Sequence, residues 1–560
     1  MRYIAIVLAV GVCTAGMPQG PKTTARRSAP VELALQIADY ATLPITGSPT
    51  GTGNNAGSLA RINFMREEPA PSRRFFVNDL NGPLYILNRT TKNATIYLDF
   101  NGRGVMRGLF DRMATEAGLA SGFISFEFDP DYANNGRFYT IHLEDLAASG
   151  ALAPDNGGVL GLQVNGYAPT PPVRNPPTGD HEGVLIEWTD SDISNSTFEG
   201  SARELLRVQL FSRIHPMGDL TFNPAARPGD PDWRVLYVAC GDGGSGDQRS
   251  SVRLNPQRLD TLVGKILRIV PDLSQHVDTS TVSENGRYRI LKDNPFVSIA
   301  GARPEVWAYG LRNPHRLNWD ADRANPSNNH LIAAVIGWNT WETVVIVQKG
   351  GNYGYPEREG TEKIEVGKPL SKLPDVDSLP VHVTDVTTLG TAIPRYPVVQ
   401  YGHGQGGGDA IAGGFVYRGD RVPRLRGKYV FGDISTGRLW YADFKEMLAA
   451  DDDKPLTQAA IHELGILWDN PGDRPNRGRQ LFPTMAAVVE AGYHSRGGKD
   501  PDLPGTAAVS GAGRVDLRLA LDKSGELYVL SKSDGMIRAV TGLVPVAATS
   551  IRRTKPGETP

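Results

Sequence analysis

The segments GKYVFGD (427–433), GRLWYAD (437–443) and GELYVLS (525–531) each place a short apolar and aromatic run directly after a glycine. The same arrangement recurs upstream in GPLYIL (82–87), NGRFYTI (135–141) and WRVLYVA (233–239). Runs of this length between Gly, Asn and Asp are typical of β-strands joined by tight turns. Helical patterns are sparse, and short helices are predicted at 109–120 and 444–450. The sequence therefore predicts an all-β protein.

Two all-β architectures agree with this spacing. A tandem of β-sandwiches also consists of short strands separated by turns. The strand segments continue over most of the chain without an obvious linker, however, and this favours a β-propeller, in which radial repetition leaves few exposed strand edges. We predict that the propeller covers residues 60–545.

The two ends of the chain differ from the middle. Residues 1–16 combine Arg2, an apolar run and small residues, as a secretory signal peptide does, so export to the periplasm or the outside is expected. Residues 17–59 are rich in Pro, Gly and Thr and are predicted to be a flexible leader, and 546–560 a disordered tail. Alternatively, Cys13 is a lipid attachment site, in which case the protein would be tethered to a membrane.

The charge balance argues against some classes of partner. The chain has 59 basic and 61 acidic residues and a formal net charge of -2, so no long-range field favours nucleic acid or an anionic membrane. A small neutral ligand fits this balance better. If Cys13 is removed with the signal peptide, Cys240 has no partner for a disulfide, and we interpret it as a small buried strand residue.

Five motifs together resemble the soluble, pyrroloquinoline quinone (PQQ)-dependent glucose and sorbosone dehydrogenases, a family of aldose sugar dehydrogenases. They are GFISFEFDPDYANNGRFY (122–139), ELLRV with HPMGDLTF (204–208 and 215–222), LYVACGDGGSGD with LVGKILRI (236–247 and 262–269), WAYGLRNPHR with GWNTWE and KGGNYGYP (307–316, 337–342 and 349–356), and AIAGGFVYRG with GKYVFGD (410–419 and 427–433). This resemblance implies a six-bladed β-propeller with four-stranded antiparallel blades. It also implies oxidation of a sugar hydroxyl by hydride transfer to PQQ, with Ca²⁺ polarising the quinone.

The resemblance assigns roles to particular residues. His215 would be the general base, although a lone histidine in a turn is more often structural. Arg312 and Asn313 would contact the quinone, and the backbone carbonyls of Gly337 and Trp338 would help to hold calcium. In the glycine-rich loop, Asp242 and Asp247 are either calcium ligands or side chains that stabilise a turn. His403 is either near the same cleft or part of a loop on its rim.

Several positions depart from the family pattern. The arginines that meet the carboxylates of the cofactor are only approximated by Arg514 and Arg518, since by strict count they would fall on Val515 and Leu517. The lysine expected after the GKYVFGD strand is absent, and Ser435 and Thr436 stand there instead. These differences affect anion binding in particular.

Three functions are therefore carried forward. The leading hypothesis is an exported quinoprotein that oxidises a sugar and passes electrons to an external quinone or cytochrome, because the sequence contains no Cys-x-x-Cys-His site for a covalent haem. The second is a propeller that binds a glycan or a protein without redox turnover. The third is a polysaccharide hydrolase or lyase in which Asp242, Asp247 or Glu342 acts as acid or base.

Overall fold

A computed structural model describes residues 31–47, 59–103, 108–115, 121–156, 158–174, 179–321, 328–404, 406–470, 479–497 and 514–546. Strands far outnumber helices in these ranges, so the predicted mainly-β class is confirmed. The predicted signal peptide (1–16), with Cys13, lies outside the described residues, as does the predicted tail beyond Val546. In the described ranges, no helix has the length and apolar character that are needed to cross a membrane.

Most strands belong to six antiparallel groups of four. After β1 (Leu33–Thr42), group 1 contains β2 (Ile62–Glu67), β3 (Phe75–Asp79), β4 (Pro83–Leu87) and β5 (Ala94–Asp99). Group 2 contains β6 (Phe123–Phe128), β7 (Arg137–Asp145), β9 (His181–Asp190) and β10 (Glu199–Leu210), with the short edge strand β8 (Gly161–Gln163) beside β10. Group 3 contains β11 (Met217–Phe222), β12 (Leu236–Cys240), β13 (Lys265–Ile269) and β16 (Val306–Tyr309), and the separate hairpin of β14 (Ser280–Val282) and β15 (Arg289–Leu291) lies between its last two strands in the chain.

The second half of the chain repeats this plan. Group 4 contains β17 (Asn313–Asp320), β18 (His330–Ile336), β19 (Trp341–Ile346) and β25 (Val399–Gly402), and its last connection carries the short strands β20 (Arg358–Glu359), β21 (Glu362–Lys363), β22 (Ser371–Lys372), β23 (Leu379–His382) and β24 (Thr388–Ala392). Group 5 contains β26 (Ile411–Val416), β27 (Lys428–Asp433), β28 (Leu439–Asp443) and β29 (His462–Trp468), with β30 (Gln480–Phe482) beside it; group 6 contains β31 (Leu517–Leu521), β32 (Leu527–Ser531), β33 (Met536–Pro545) and β1.

The groups are arranged in a closed ring. The first strand of each of groups 1 to 5 contacts the first strand of the next group, and β31 of group 6 contacts β2 of group 1. Six clusters of buried apolar side chains fill the spaces between neighbouring groups, one cluster for each pair. Because burial of apolar area is the main favourable term in folding, each group is stabilised by both of its neighbours.

Strand β1 differs from the prediction of a flexible leader over 17–59. Leu33–Thr42 pairs antiparallel with β33 and parallel with β29, so groups 5 and 6 join into one nine-stranded sheet. Ala34 and Leu35 are fully buried. The surrounding Pro, Gly and Thr residues favoured the prediction of a flexible segment. The pairing of this strand could not be predicted from the local sequence, because its partners lie more than 400 residues away.

In the described ranges, three α-helices accompany the strands: α1 (Tyr132–Asn135), α2 (Phe444–Ala450) and α3 (Met485–Ser495). The prediction of a helix at 444–450 is confirmed, and the Asp443 side chain caps it by accepting from the Lys445 amide. The prediction for 109–120 is wrong over 109–115, which forms bends and isolated bridges to Asn101 and Glu144. Cys240 is fully buried and unpaired on β12, as predicted.

Candidate functional site

The loop between β10 and β11 carries His215. Its φ of 49° is a left-handed conformation that is uncommon for a residue with a side chain. The residue is 8% exposed, and its Nδ1 lies 2.7 Å from Oδ1 of Asp242. Asp242 follows β12, so the pairing of β11 with β12 brings the two side chains together. The contact fixes the imidazole plane and leaves Nε2 as the ring nitrogen that is not bonded to Asp242.

Asp242 organises the glycine-rich loop around this histidine. Its Oδ1 also accepts from the Gly244 amide at 2.9 Å, and Oδ2 accepts from the Gly246 amide at 2.8 Å. The Asp242 amide donates to the carbonyl of Arg312 at 2.8 Å, which ties the loop to the start of β17. Both carboxylate oxygens therefore have protein donors, as the turn alternative for Asp242 predicts.

Arg312 projects into the same region. Its Nε and Nη2 donate to the two carboxylate oxygens of Asp247 at 3.0 and 2.8 Å, and Nη1 donates to the carbonyl of Gly337. Tyr355 Oη donates to Asp247 Oδ1 at 2.5 Å. Burial alone would raise the pKa of Asp247, but Arg312 lowers it below its ordinary value. His215, Asp242, Arg312 and Asp247 are thus one connected cluster.

Three of the four predicted calcium ligands already have protein partners. Asp247 and the Gly337 carbonyl are bound to the Arg312 guanidinium, and both oxygens of Asp242 accept from His215 and backbone amides. Among the described residues, no group of three or more His, Cys, Asp or Glu side chains could hold a metal ion. Calcium requires six to eight oxygen ligands, so this donor set does not fit it. The cation at this position is Arg312.

The loop around Trp338 is held by a residue that the sequence did not single out. Oε1 of Glu359 accepts from the backbone amides of residues 338, 339, 340 and 341 at 2.8 to 3.1 Å. Glu342, considered earlier as an acid or base, is fully buried and accepts from the Gly337 and Ile411 amides and from His403. Glu342 and Glu359 both accept from backbone amides of residues 337–341, so these two carboxylates act as structural acceptors.

The directions of Arg514 and Arg518, the predicted cofactor arginines, depend on which side of β31 is packed in the protein core. Val515 and Leu517 are fully buried in the apolar cluster between groups 5 and 6. Because successive strand residues alternate in direction, Arg518 faces the other side, where its Nε donates to Asn63 Oδ1 at 3.0 Å. Arg514 instead donates to Asp516 at 2.9 Å and to Ser435 Oγ at 2.8 Å.

Arg518 belongs to a group that we call the central cation cluster: Arg61, Arg316, Arg518 and Lys532. Arg316 Nη2 lies 3.2 Å from the same Asn63 Oδ1 that accepts from Arg518. All four members are buried, each at most 5% exposed. They come from the start of group 1, from β17, from β31 and from the residue after β32, so no sequence motif joins them.

His315 links the central cation cluster to the His215 region. Burial is the main cause that holds the pKa of His315 well below its ordinary value, and Arg316, Arg518, Lys532 and His215 lower it further. Its Nε2 is buried without a hydrogen-bond partner among the described residues. Asn313 begins β17 beside Arg312, is 8% exposed and pairs in register with Ile336. The predicted residues His215, Arg312 and Asn313 are therefore in one region, and Arg518 is close to it.

Residues 228–463 match the family model described as Glucose / Sorbosone dehydrogenase. This match makes the region similar to the glucose/sorbosone dehydrogenase family. The region includes Asp242, Asp247, Arg312 and Gly337, whereas His215 and most of the central cation cluster lie outside it. The family resemblance that the sequence motifs indicated is confirmed.

The curated relatives of this chain include dehydrogenases and proteins whose names describe other functions. The HIPL1 protein of Arabidopsis thaliana is 27% identical over 69% of this chain and 52% of its own length. Aldose sugar dehydrogenase YliI of Escherichia coli is 33% identical over 22% of this chain and 25% of its own length. The human Hedgehog-interacting protein is 24% identical over 65% of this chain and 39% of its own length. The chain thus spans about half the length of the first of these relatives.

Proposed function

We propose that this protein is a six-bladed β-propeller that oxidises a hydroxyl of a sugar or sugar derivative with bound PQQ. Six antiparallel groups, a closed ring of first strands and one apolar cluster between each neighbouring pair support the propeller. The contact of His215 with Asp242, beside Arg312, is the observation that carries the enzymatic part of the proposal. An exported protein, in the periplasm or outside the cell, remains our interpretation of residues 1–16.

His215 would be the general base. With Nδ1 hydrogen-bonded to the Asp242 carboxylate, the ring proton is held at Nδ1, and Nε2 is the atom that can accept the proton of the sugar hydroxyl. The negative charge of Asp242 then stabilises the imidazolium that forms. His215 is nearly buried, so bulk water competes weakly for Nε2. The role of Asp242 is to position His215.

The residues present fit the anionic part of PQQ and not its calcium. PQQ is a planar quinone with three carboxylates, and when bound it would supply the two-electron acceptor. Arg312, Asn313 and Arg518 are the predicted residues that would hold it, since guanidinium groups bind carboxylates in a fixed geometry. No role is proposed for calcium, because Arg312 already donates to Asp247 and to the Gly337 carbonyl, two of the four expected ligands. Electrons would leave to a separate quinone or cytochrome.

A propeller that binds a protein or glycan without redox turnover is the second candidate. The observation in its favour is that the Arg312 guanidinium is already engaged by Asp247 and Gly337. The name of one relative, the Hedgehog-interacting protein, also describes a binding protein. Binding of PQQ by the wild-type protein separates the two candidates.

The test is a comparison of His215→Ala with the wild-type protein. Purified protein is incubated with PQQ, its binding is measured by fluorescence quenching, and dye reduction is followed with a panel of aldoses. We expect His215→Ala to lower kcat by about 10²–10⁴-fold while PQQ affinity changes little, because a general base is lost and no carboxylate contact is removed. His462→Ala, at an exposed site on β29, is the matched control and should retain wild-type kcat. Absence of PQQ binding by the wild-type protein would refute the dehydrogenase.

A further inference from the structure

The central cation cluster has no carboxylate in direct contact among the described residues, although Asp79, Asp219 and Asp516 lie near it. Among the described residues, no carboxylate oxygen lies within 4 Å of a side-chain nitrogen of Arg61, Arg316, Arg518 or Lys532, although all four are buried. Their polar contacts are to neutral groups: Arg61 donates to Asn81 Oδ1 at 3.1 Å and Arg316 to the His315 carbonyl at 2.9 Å. Four cations thus converge without an acidic partner in contact.

The nearest acidic groups are committed elsewhere. Asp516 accepts from Arg514 at 2.9 Å, and Asp219 accepts from Arg66 at 3.0 Å. Asp79 accepts from the hydroxyl of Thr46 at 2.6 Å. None of these carboxylates can move to the cluster without leaving another partner unsatisfied. The excess of positive charge is therefore a property of the folded protein.

This excess is costly without an anion. Burial is the main cause that holds the pKa of Lys532 well below its ordinary value; Arg518, Arg61 and Arg316 lower it further, and Asp516 opposes them only in part. Burial likewise lowers the pKa of Arg518 to about 10. Buried charges in proteins are ordinarily paired, because removal of an isolated charge from water is strongly unfavourable. Like charges that face one another without a counter-ion therefore indicate a place for an anionic ligand.

Lys532 lies close to the position where the family lysine is missing. The carbonyl of Ser435 accepts from the Val515 amide at 2.9 Å, and the carbonyl of Val515 accepts from the Ser533 amide at 3.3 Å. Lys532 donates its own amide to the carbonyl of Asp516 at 3.3 Å. Ser435 and Lys532 are thus connected through the segment that leads into β31, at the same end of the ring.

We propose that Lys532, together with Arg61 and Arg518, binds the carboxylates of a small polycarboxylate and supplies the cation that Ser435 and Thr436 do not. The identification of this ligand as PQQ rests on the proposed function. The anion site itself rests on the four buried cations and on their lack of carboxylate partners.

The experiment uses the full-length protein and two probes. Benzene-1,3,5-tricarboxylate tests the anion site, PQQ tests the proposed cofactor, and benzoate, with one carboxylate, is the ligand control. Affinity is measured by titration calorimetry and by the ligand-induced shift in melting temperature. In the wild-type protein, we expect both polycarboxylates to bind and benzoate to bind much more weakly, because several carboxylates are needed to compensate the cluster.

Lys532→Met should weaken both polycarboxylates by roughly tenfold or more, because one charge-assisted contact is lost. It should leave the ligand-free melting temperature unchanged or higher, because one of the repelling charges is removed. A residue with a merely structural role would lower the melting temperature instead. Lys532→Arg keeps the charge and should restore most of the affinity. Lys372→Met, at a side chain that is 89% exposed, is the matched control and should bind as the wild-type protein does.

The outcomes separate this inference from the proposed function. If the tricarboxylate binds and PQQ does not, the anion site stands and the dehydrogenase fails. If Lys532→Met folds and binds both polycarboxylates as tightly as the wild-type protein, the role of Lys532 is wrong, whereas the dehydrogenase remains. If neither polycarboxylate binds to the wild-type protein, both proposals are overturned.

Discussion

Two buried charged regions of this molecule behave in opposite ways. In group 2, Arg207 is nearly fully buried and donates to Glu144 at 2.6 Å, to Glu182 at 3.0 Å and to Glu204 at 2.9 Å. Glu204 also accepts from the hydroxyls of Tyr167 and Thr170. The central cation cluster has the same degree of burial, and none of its members contacts a carboxylate in the described part of the chain. Buried cations that are satisfied by protein acceptors serve the fold, and buried cations without such acceptors indicate a ligand.

The largest expected effect is on the Arg207 network. Arg207→Met should lower the free energy of unfolding by about 3–5 kcal/mol, because the buried carboxylates lose their shared cation. Urea denaturation measures this loss. The matched control is Arg424→Met, at an exposed position, which should stay within about 0.5 kcal/mol of the wild-type protein. If Arg207→Met is as stable as the control, satisfied partners do not distinguish the two regions.

An intermediate effect is expected in acid. Burial would raise the pKa of Glu144, but His142 and Arg207 lower it to about 2, below the ordinary 4.5. The stabilisation is therefore fully present above pH 4.5 and is lost as the pH falls through 2. The difference in unfolding free energy between the wild-type protein and Glu144→Gln should narrow by about 3 kcal/mol between pH 5 and pH 2. A difference that stays constant over this range would contradict the assignment.

The third effect, which is the smallest over a single pH unit, is expected in alkali and has the opposite origin. The pKa of Lys532 is below its ordinary 10.5 in the folded protein, so the unfolded chain binds more protons between the two values. The ligand-free protein should gain up to about 1.4 kcal/mol of stability for each pH unit in that window, relative to Lys532→Met. The charged and titratable groups that face Lys532 are Asp516, Arg61, Arg316, Arg518 and His315. If the unfolding free energies of the two proteins change with pH in the same way, the pKa of Lys532 is not lowered in the folded protein.

The structural features that could be predicted from the sequence depend on residues that are close together in the chain. Glycine turns before apolar runs predicted the strands, and the GDGGSGD loop pointed to the His215 region because its turn chemistry is local. The resemblance also located Arg312. It could not predict that Arg312 occupies the expected calcium ligands, since spacing along the chain does not determine which cation reaches a carbonyl.

The residues that were missed depend on pairing between distant strands. Lys532 follows β32 and carries no motif, and it meets Arg61 and Arg316 only because the ring closes. Glu359 was missed because four consecutive amides select it by backbone geometry, not by sequence. Val515 and Leu517, the positions where the family pattern has arginines, are buried in apolar surroundings. Arg518 therefore points to the opposite face of β31 from these two side chains.

Strand β1 has a consequence for the order of assembly. Its partners on both sides, β29 and β33, lie more than 400 residues further along the chain, so residues 33–42 cannot pair with them until most of the described chain has been synthesised. Completion of group 6 therefore joins the first described strand to the last. A chain truncated before β33 would leave β1 and β32 without the strand that lies between them, and such unpaired strand edges make shortened products prone to aggregation.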